Sequence, residues 1–299
     1  MRPSNRLSDA TTSWRYIVKG DQYAERASNP DCMNAGVSFF SCVTTCAEVC
    51  CSGATMITID EIVRLYRYFP ITVGFRKYTP LDAGHRDFFD TIGERFGSIY
   101  VAGDFIAGNW RRRLCAMLMV NNHCRLHDTD RKPMQCRIVP FCAVFPESAQ
   151  HMVLVHQQAG AFRKCKGFAA GSESGAIVWD AGRIVNEDIR EPFYRYREGM
   201  VRQRRFLQAI LDGLKQQPSF ERFLSGSGML EAAVPSAMLP ELLRVAGMKK
   251  EHFGDFAAAQ AKLCRRDLEL TPGAAVFQDW LLELQAFARS LEVSAEGRA

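Results

Sequence analysis

The chain has no long hydrophobic run. Its longest apolar stretches, residues 115–120 and 138–145, are far too short to span a bilayer. The opening Met-Arg-Pro-Ser-Asn-Arg lacks the apolar core of a secretory leader, so a cytoplasmic location is expected. A dominant charge is missing too. The net charge is only +5, with Lys and Arg interleaved with Asp and Glu, so neither nucleic acid nor an anionic membrane is expected as partner. There is no glycine-rich phosphate loop, dinucleotide fingerprint, nucleophile elbow or internal repeat. Ser-His-Asp chemistry therefore has no local support, and no catalytic residue is assigned. What remains, with 47% hydrophobic and 24% charged residues among 299, is a soluble globular protein of one large or two ordinary domains.

Cysteine is what the chain has in excess: eleven residues, an odd number. In a reducing compartment such thiols read as metal ligands more readily than as disulfides. Four fall in one short stretch, Phe40-Ser-Cys42-Val-Thr-Thr-Cys46-Ala-Glu-Val-Cys50-Cys51. On a helix, Cys42, Cys46 and Cys50 would share one face, which is also the pattern of small core residues. The adjacent Cys51 and the cysteines downstream favour ligation over packing. Their spacing lacks the two-residue gap of a zinc knuckle.

A second group follows at Cys115, Cys124 and Cys136, separated by polar, proline-bearing loops, and a last element at Cys165-Lys-Gly. Lys132 and Arg137 put positive charge beside these thiols, which favours the thiolate. Both also fit as ordinary surface charge. His123 and His127 are candidate ligands, but hydrogen-bonded histidines serve as well. Cys32, Cys142 and Cys264 read as incidental or core thiols. Thr58 followed by Glu61 forms a capping box and predicts a helix start near Thr58, stopped at Pro70. Asp60 and Glu61 are then first-turn charges suited to the helix dipole rather than ligands.

These elements resemble, in order, the YkgJ-type cysteine-cluster family, described as zinc- or iron-chelating with a CxxCxxCC signature. The matching pieces are Phe40-Ser-Cys42…Cys46…Cys50-Cys51 running on to Ile57-Thr-Ile59-Asp60, then Cys115-Ala-Met-Leu118 and Cys124-Arg-Leu126-His127. Lys132-Pro-Met-Gln-Cys136-Arg137-Ile-Val-Pro140 and Cys165-Lys-Gly167 complete the set. The match covers roughly residues 36–175; gaps of three residues replace gaps of two in the first motif. The resemblance implies a metal-binding module whose ligands come from Cys42, Cys46, Cys50, Cys51, Cys115, Cys124, Cys136 and Cys165. Zinc and cubane iron–sulfur sites each commonly take four cysteines, so these eight suffice for two sites, or for one with thiols nearby. A [4Fe–4S] iron–sulfur cluster is favoured over zinc because zinc knuckles use close chelating pairs.

The flagellin lysine N-methylases resemble this family in cysteine pattern and are linked to iron–sulfur and S-adenosylmethionine. They supply the alternative of a protein lysine N-methylase. The radical triplet Cys-x-x-x-Cys-x-x-Cys is absent, though Cys42, Cys46 and Cys50 miss it by one residue. A third reading, cysteines that only pack, ranks lowest.

From Glu191 onward apolar residues recur at helical spacing, from Phe193 to Leu214 and again from Phe277 to Leu291, the latter after Thr271-Pro272. Arg195, Arg197, Arg202, Arg204 and Arg205 read as a solvated helix face. The expected architecture is mainly α with irregular cysteine-rich loops, α+β being the alternative. It comprises an N-terminal arm over 1–35, a metal-stapled module over 36–175, and a helical region over 190–295 that docks a protein partner or covers the site. Residues 73–78 and 98–101 suit either short strands or covering loops.

Overall fold

The computed structural model describes residues 38–40, 51, 54–108, 114–121, 123–127, 129–159, 165–169 and 176–296. At its centre is an antiparallel sheet. Strand β3 (Ile71–Tyr78) pairs along its whole length with β5 (Ile99–Ala107), from Ile71 opposite Ala107 to Tyr78 opposite Tyr100. On the far side of β5 lie β2 (Thr55–Ile57) and β4 (Gly93–Phe96). On the far side of β3 lies β8 (Leu230–Ala232), delivered from more than a hundred residues downstream. A smaller antiparallel sheet joins β1 (Ser38–Phe40), β6 (Ala176–Asp180) and β7 (Arg183–Ile184).

This corrects the mainly-α expectation. Helix predominates, but the described residues also form eight strands in two antiparallel sheets, and the larger sheet lies between two apolar cores. One face of the sheet (Ile57, Val73, Phe75, Val101, Phe105) meets the C-terminal helices α8 (Leu239–Val245), α9 (Phe253–Leu270) and α10 (Ala275–Glu296). The other face (Met56, Tyr78, Tyr100, Ala102, Ile106) meets helix α2 (Ala83–Ile92) and the segment 141–145. A sheet covered on both sides shows no alternation of apolar and polar residues, which is why its strands read as ambiguous.

A single helix links the cores. Helix α6 (Glu187–Leu214) starts at Asn186, whose side chain accepts from the Asp188 amide at 2.9 Å. Its first half buries Phe193, Tyr196 and Met200 in one core, and its second half buries Phe206, Leu207, Ile210 and Leu211 in the other. Where it crosses between them, Gly199 lets the backbone approach the Thr58 turn; a Cβ there would stand 2.5 Å from Thr58 Cγ2. The basic residues of this helix are not all solvated. The Arg197 guanidinium lies 3.5 Å from the Phe88 ring centre and donates to the carbonyls of Ala143 (2.7 Å) and Phe145 (3.0 Å).

Next to this crossing the sheet carries a buried acid. Asp104 Oδ1 on β5 accepts from the Tyr196 hydroxyl at 3.2 Å and from Gln203 Nε2 at 3.4 Å, both on α6. Burial pushes its carboxyl up to about 7, against the opposing charge of Arg76 on β3 and these two hydrogen bonds. Because the folded value lies above the unfolded one, Asp104's contribution is fully present below about pH 4. It falls as pH rises through about 7, by on the order of a few kcal/mol. Urea unfolding at several pH values should therefore give a shallower decline between pH 4 and 7 for Asp104→Asn than for the native chain; identical slopes would refute a neutral Asp104 in the fold.

Candidate metal centre

The centre is built outward from the turn that follows β2. Thr58 precedes a 3-10 turn (Ile59–Glu61) and a short helix α1 (Ile62–Leu65), and the Glu61 carboxylate turns back to accept from the Thr58 amide at 2.9 Å. Glu61 is fully buried, and its other oxygen does long-range work. It accepts from the Met134 amide at 2.7 Å and from Arg64 Nη2 at 2.9 Å. Burial raises the Glu61 carboxyl, while the backbone hydrogen bonds from Thr58 and Met134 and the Arg64 charge oppose that rise. Glu61 is thus neither a simple first-turn charge nor a ligand; it positions another segment. Asp60 beside it pairs with Arg202 on α6.

The segment Glu61 holds is the one-turn helix α3 (Met134–Arg137), which carries Cys136. Pro133 at its N-terminus removes an amide that would need a partner, and the Met134 amide is the one Glu61 takes. Cys136 Sγ then comes to 3.5 Å from Thr55 Oγ1 on β2. Thr55 lies four residues after Cys51, and the Cys51 carbonyl accepts from the Cys115 amide at 2.6 Å. From Cys115 the chain turns back on itself: Leu118 bridges Cys124, Arg125 N donates to Met117 O at 2.8 Å, and Met119 N donates to His123 O at 2.8 Å. Cys115 Sγ accepts from the Met117 amide at 3.4 Å. Cys51, Cys115, Cys124 and Cys136, spread over 86 positions, are thereby carried on backbone that is stitched around β2. All four are partly buried.

Cys165 sits apart from this group. It precedes helix α5 (Lys166–Ala169), whose Phe168 ring packs edge-on against Phe40 of β1 with centroids 5.1 Å apart. Phe40 is two residues before Cys42, so the last motif is brought to the start of the first. Cys42, Cys46 and Cys50 lie outside the described residues, as do Cys32 and the Arg111–Arg113 triplet. Among the described residues, no three His, Cys, Asp or Glu groups stand close enough to hold a metal ion. The donor chemistry fits a soft or borderline metal, since thiols dominate and Asp60 and Glu61 are engaged in ion pairs.

The remaining cysteines and histidines separate clearly. Cys142 and Cys264 are buried, and burial pushes both thiols up, which keeps them neutral and inert. His127 Nδ1 lies 3.3 Å from Lys132 Nζ, and Arg137 donates to the carbonyls of Lys132 (3.0 Å) and Thr129 (2.9 Å), so both cations brace the loop before Cys136. The long-range role of Glu61 escaped sequence reasoning, which read it only as part of the capping box with Thr58 and as a first-turn charge. No helix among the described residues is long and apolar enough to cross a membrane. No protein-family model matches the chain, and no curated protein or solved structure is similar to it.

Replacing Glu61 by Gln puts an amide N–H among backbone donors and should cost about 2–4 kcal/mol in urea unfolding. Asp60→Asn, at a partly exposed ion pair, should cost under about 1 kcal/mol. Equal costs would contradict the positioning role of Glu61.

Proposed function

We propose that this chain is a metal-binding protein of the YkgJ-like cysteine-cluster kind, holding an iron–sulfur cluster through thiols drawn from Cys42, Cys46, Cys50, Cys51, Cys115, Cys124, Cys136 and Cys165. The observation that supports the reading is a set of links near β2: the Cys115 amide donates to the Cys51 carbonyl, Leu118 bridges Cys124, and Cys136 Sγ meets Thr55 Oγ1. Cys142 and Cys264 are buried in the cores and lie outside the motifs, while Cys115, Cys124 and Cys165 pack partly buried against the same cores.

The chain's residues divide the labour. Glu61 fixes the Cys136 turn, the Leu118–Cys124 bridge folds the segment carrying Cys115 and Cys124 back on itself, and Phe168, three residues after Cys165, packs on Phe40 of the first motif. A bound cluster would supply electron transfer or a Lewis-acidic iron; zinc in its place would be structural. The helices of the second half cover one face of the sheet, and a protein partner would dock on this helical region.

Anaerobic purification with metal analysis and an ultraviolet–visible spectrum tests this directly. The expected result is iron with sulfide and a broad visible absorption that a reductant bleaches, lost in Cys136→Ser and kept in Cys264→Ser. Zinc with a featureless visible spectrum would replace the cluster by a structural ion. Protein free of both would overturn the reading.

A further inference from the structure

Beside the Cys136 turn is a groove of about 180 Å³ where α1, α3 and α6 meet. Its charged lining is Arg64, Asp130, Arg137, Glu191 and Arg195. Three of these are already neutralised: Arg64 by the buried Glu61 carboxylate at 2.9 Å, and Arg195 and Glu191 by each other at 3.2 Å. The other two are left over. The Arg137 guanidinium is held by the Lys132 and Thr129 carbonyls, which orient it without cancelling its charge. Asp130 uses only its backbone carbonyl, accepting from Arg64 Nη1 at 2.9 Å. Among the described residues neither Arg137 nor the Asp130 carboxylate is in an ion pair, and they do not pair with each other. The groove's lining thus includes one oriented cation and one carboxylate that form no ion pair among the described residues, together with two balanced pairs and the apolar Met134 and Pro192.

We propose that this groove binds a small zwitterion of the α-amino-acid class, its carboxylate on the Arg137 guanidinium and its ammonium on the Asp130 carboxylate. A planar guanidinium is matched to a carboxylate by two parallel N–H bonds. A simple anion would satisfy Arg137 but leave Asp130 repelling it, and a simple cation would do the reverse. The volume sets the size class: drug-sized ligands occupy roughly 300–1,000 Å³, so a free amino acid fits where a nucleotide does not. The apolar wall suits an aliphatic or thioether side chain. Because the groove shares α3 with Cys136, an occupant would brace the turn that carries this thiol. The site stands whether or not the chain holds a metal, since none of its lining residues is a thiol.

The test is a thermal-shift screen of each standard L-amino acid at millimolar concentration on the full chain, followed by calorimetric titration of the best binder. Its N-acetyl and amide derivatives, which lack the ammonium and the carboxylate, are titrated alongside. Saturable binding is expected for the parent, with both derivatives weaker by about tenfold or more. Asp130→Asn, an exposed turn position, should weaken binding by a similar factor, and Arg205→Glu, on the same helix as Arg195 but outside the groove, should leave it unchanged. No saturable binder, a derivative that binds as well as its parent, or equal loss in the Arg205→Glu protein would overturn the proposal.

Discussion

A carboxylate with no exposed surface has to find its hydrogen bonds inside the protein, and Glu61 finds them in three places at once. Its oxygens take the Thr58 amide, the Met134 amide and the Arg64 guanidinium. Left with any of these unmade, a buried charge would cost more than most single contacts return. This one residue therefore fixes the end of β2, the start of α1 and the Cys136 turn relative to one another. Gln203 repeats the device one step away. It accepts from the Ile59 amide at 3.1 Å and donates to Asp104, so the long helix α6 is tied to the same turn and to the sheet.

The two apolar cores explain why such polar anchors are tolerated. Both faces of the five-stranded sheet are covered, one by the C-terminal helices and one by α2, segment 141–145 and the first half of α6. Asp104 and Arg76 sit on the second face, where water does not reach, and the tyrosines around them answer part of their hydrogen-bonding demand. Gln260 does comparable work on the first face, taking the Ile71 amide at 2.8 Å and the Trp280 indole N–H at 3.3 Å. Polar groups buried this way specify one arrangement of helices on sheet, because alternatives would leave them unpaired.

Parts of this design were legible in the chain itself. The capping box at Thr58 and Glu61, the amphipathic stretches that became α6 and α10, and the core placement of Cys142 and Cys264 all follow from local chemistry, whereas α1 ends at Leu65, short of the stop expected at Pro70. The sheet was not legible, for two physical reasons. Strand β3 is buried on both faces, so Thr72 and Arg76 sit inside and the period-two signal is erased. Its edge partner β8 comes from a loop around Met229 and Leu230, and pairing across such a separation leaves no local trace. The candidate ligands were legible as a set of thiols, but their arrangement was not. Motif order says which cysteines belong together, whereas the pairing of Cys51 with Cys115 is a property of the folded backbone.

The central proposal is that thiols of the cysteine motifs ligate a metal. X-ray absorption at the metal edge of the anaerobically purified chain tests it most directly. The account predicts a first shell made of sulfur, at about 2.3 Å for zinc or a comparable distance for iron, with an iron–iron scatterer if a cluster is present. A first shell of oxygen and nitrogen would contradict it.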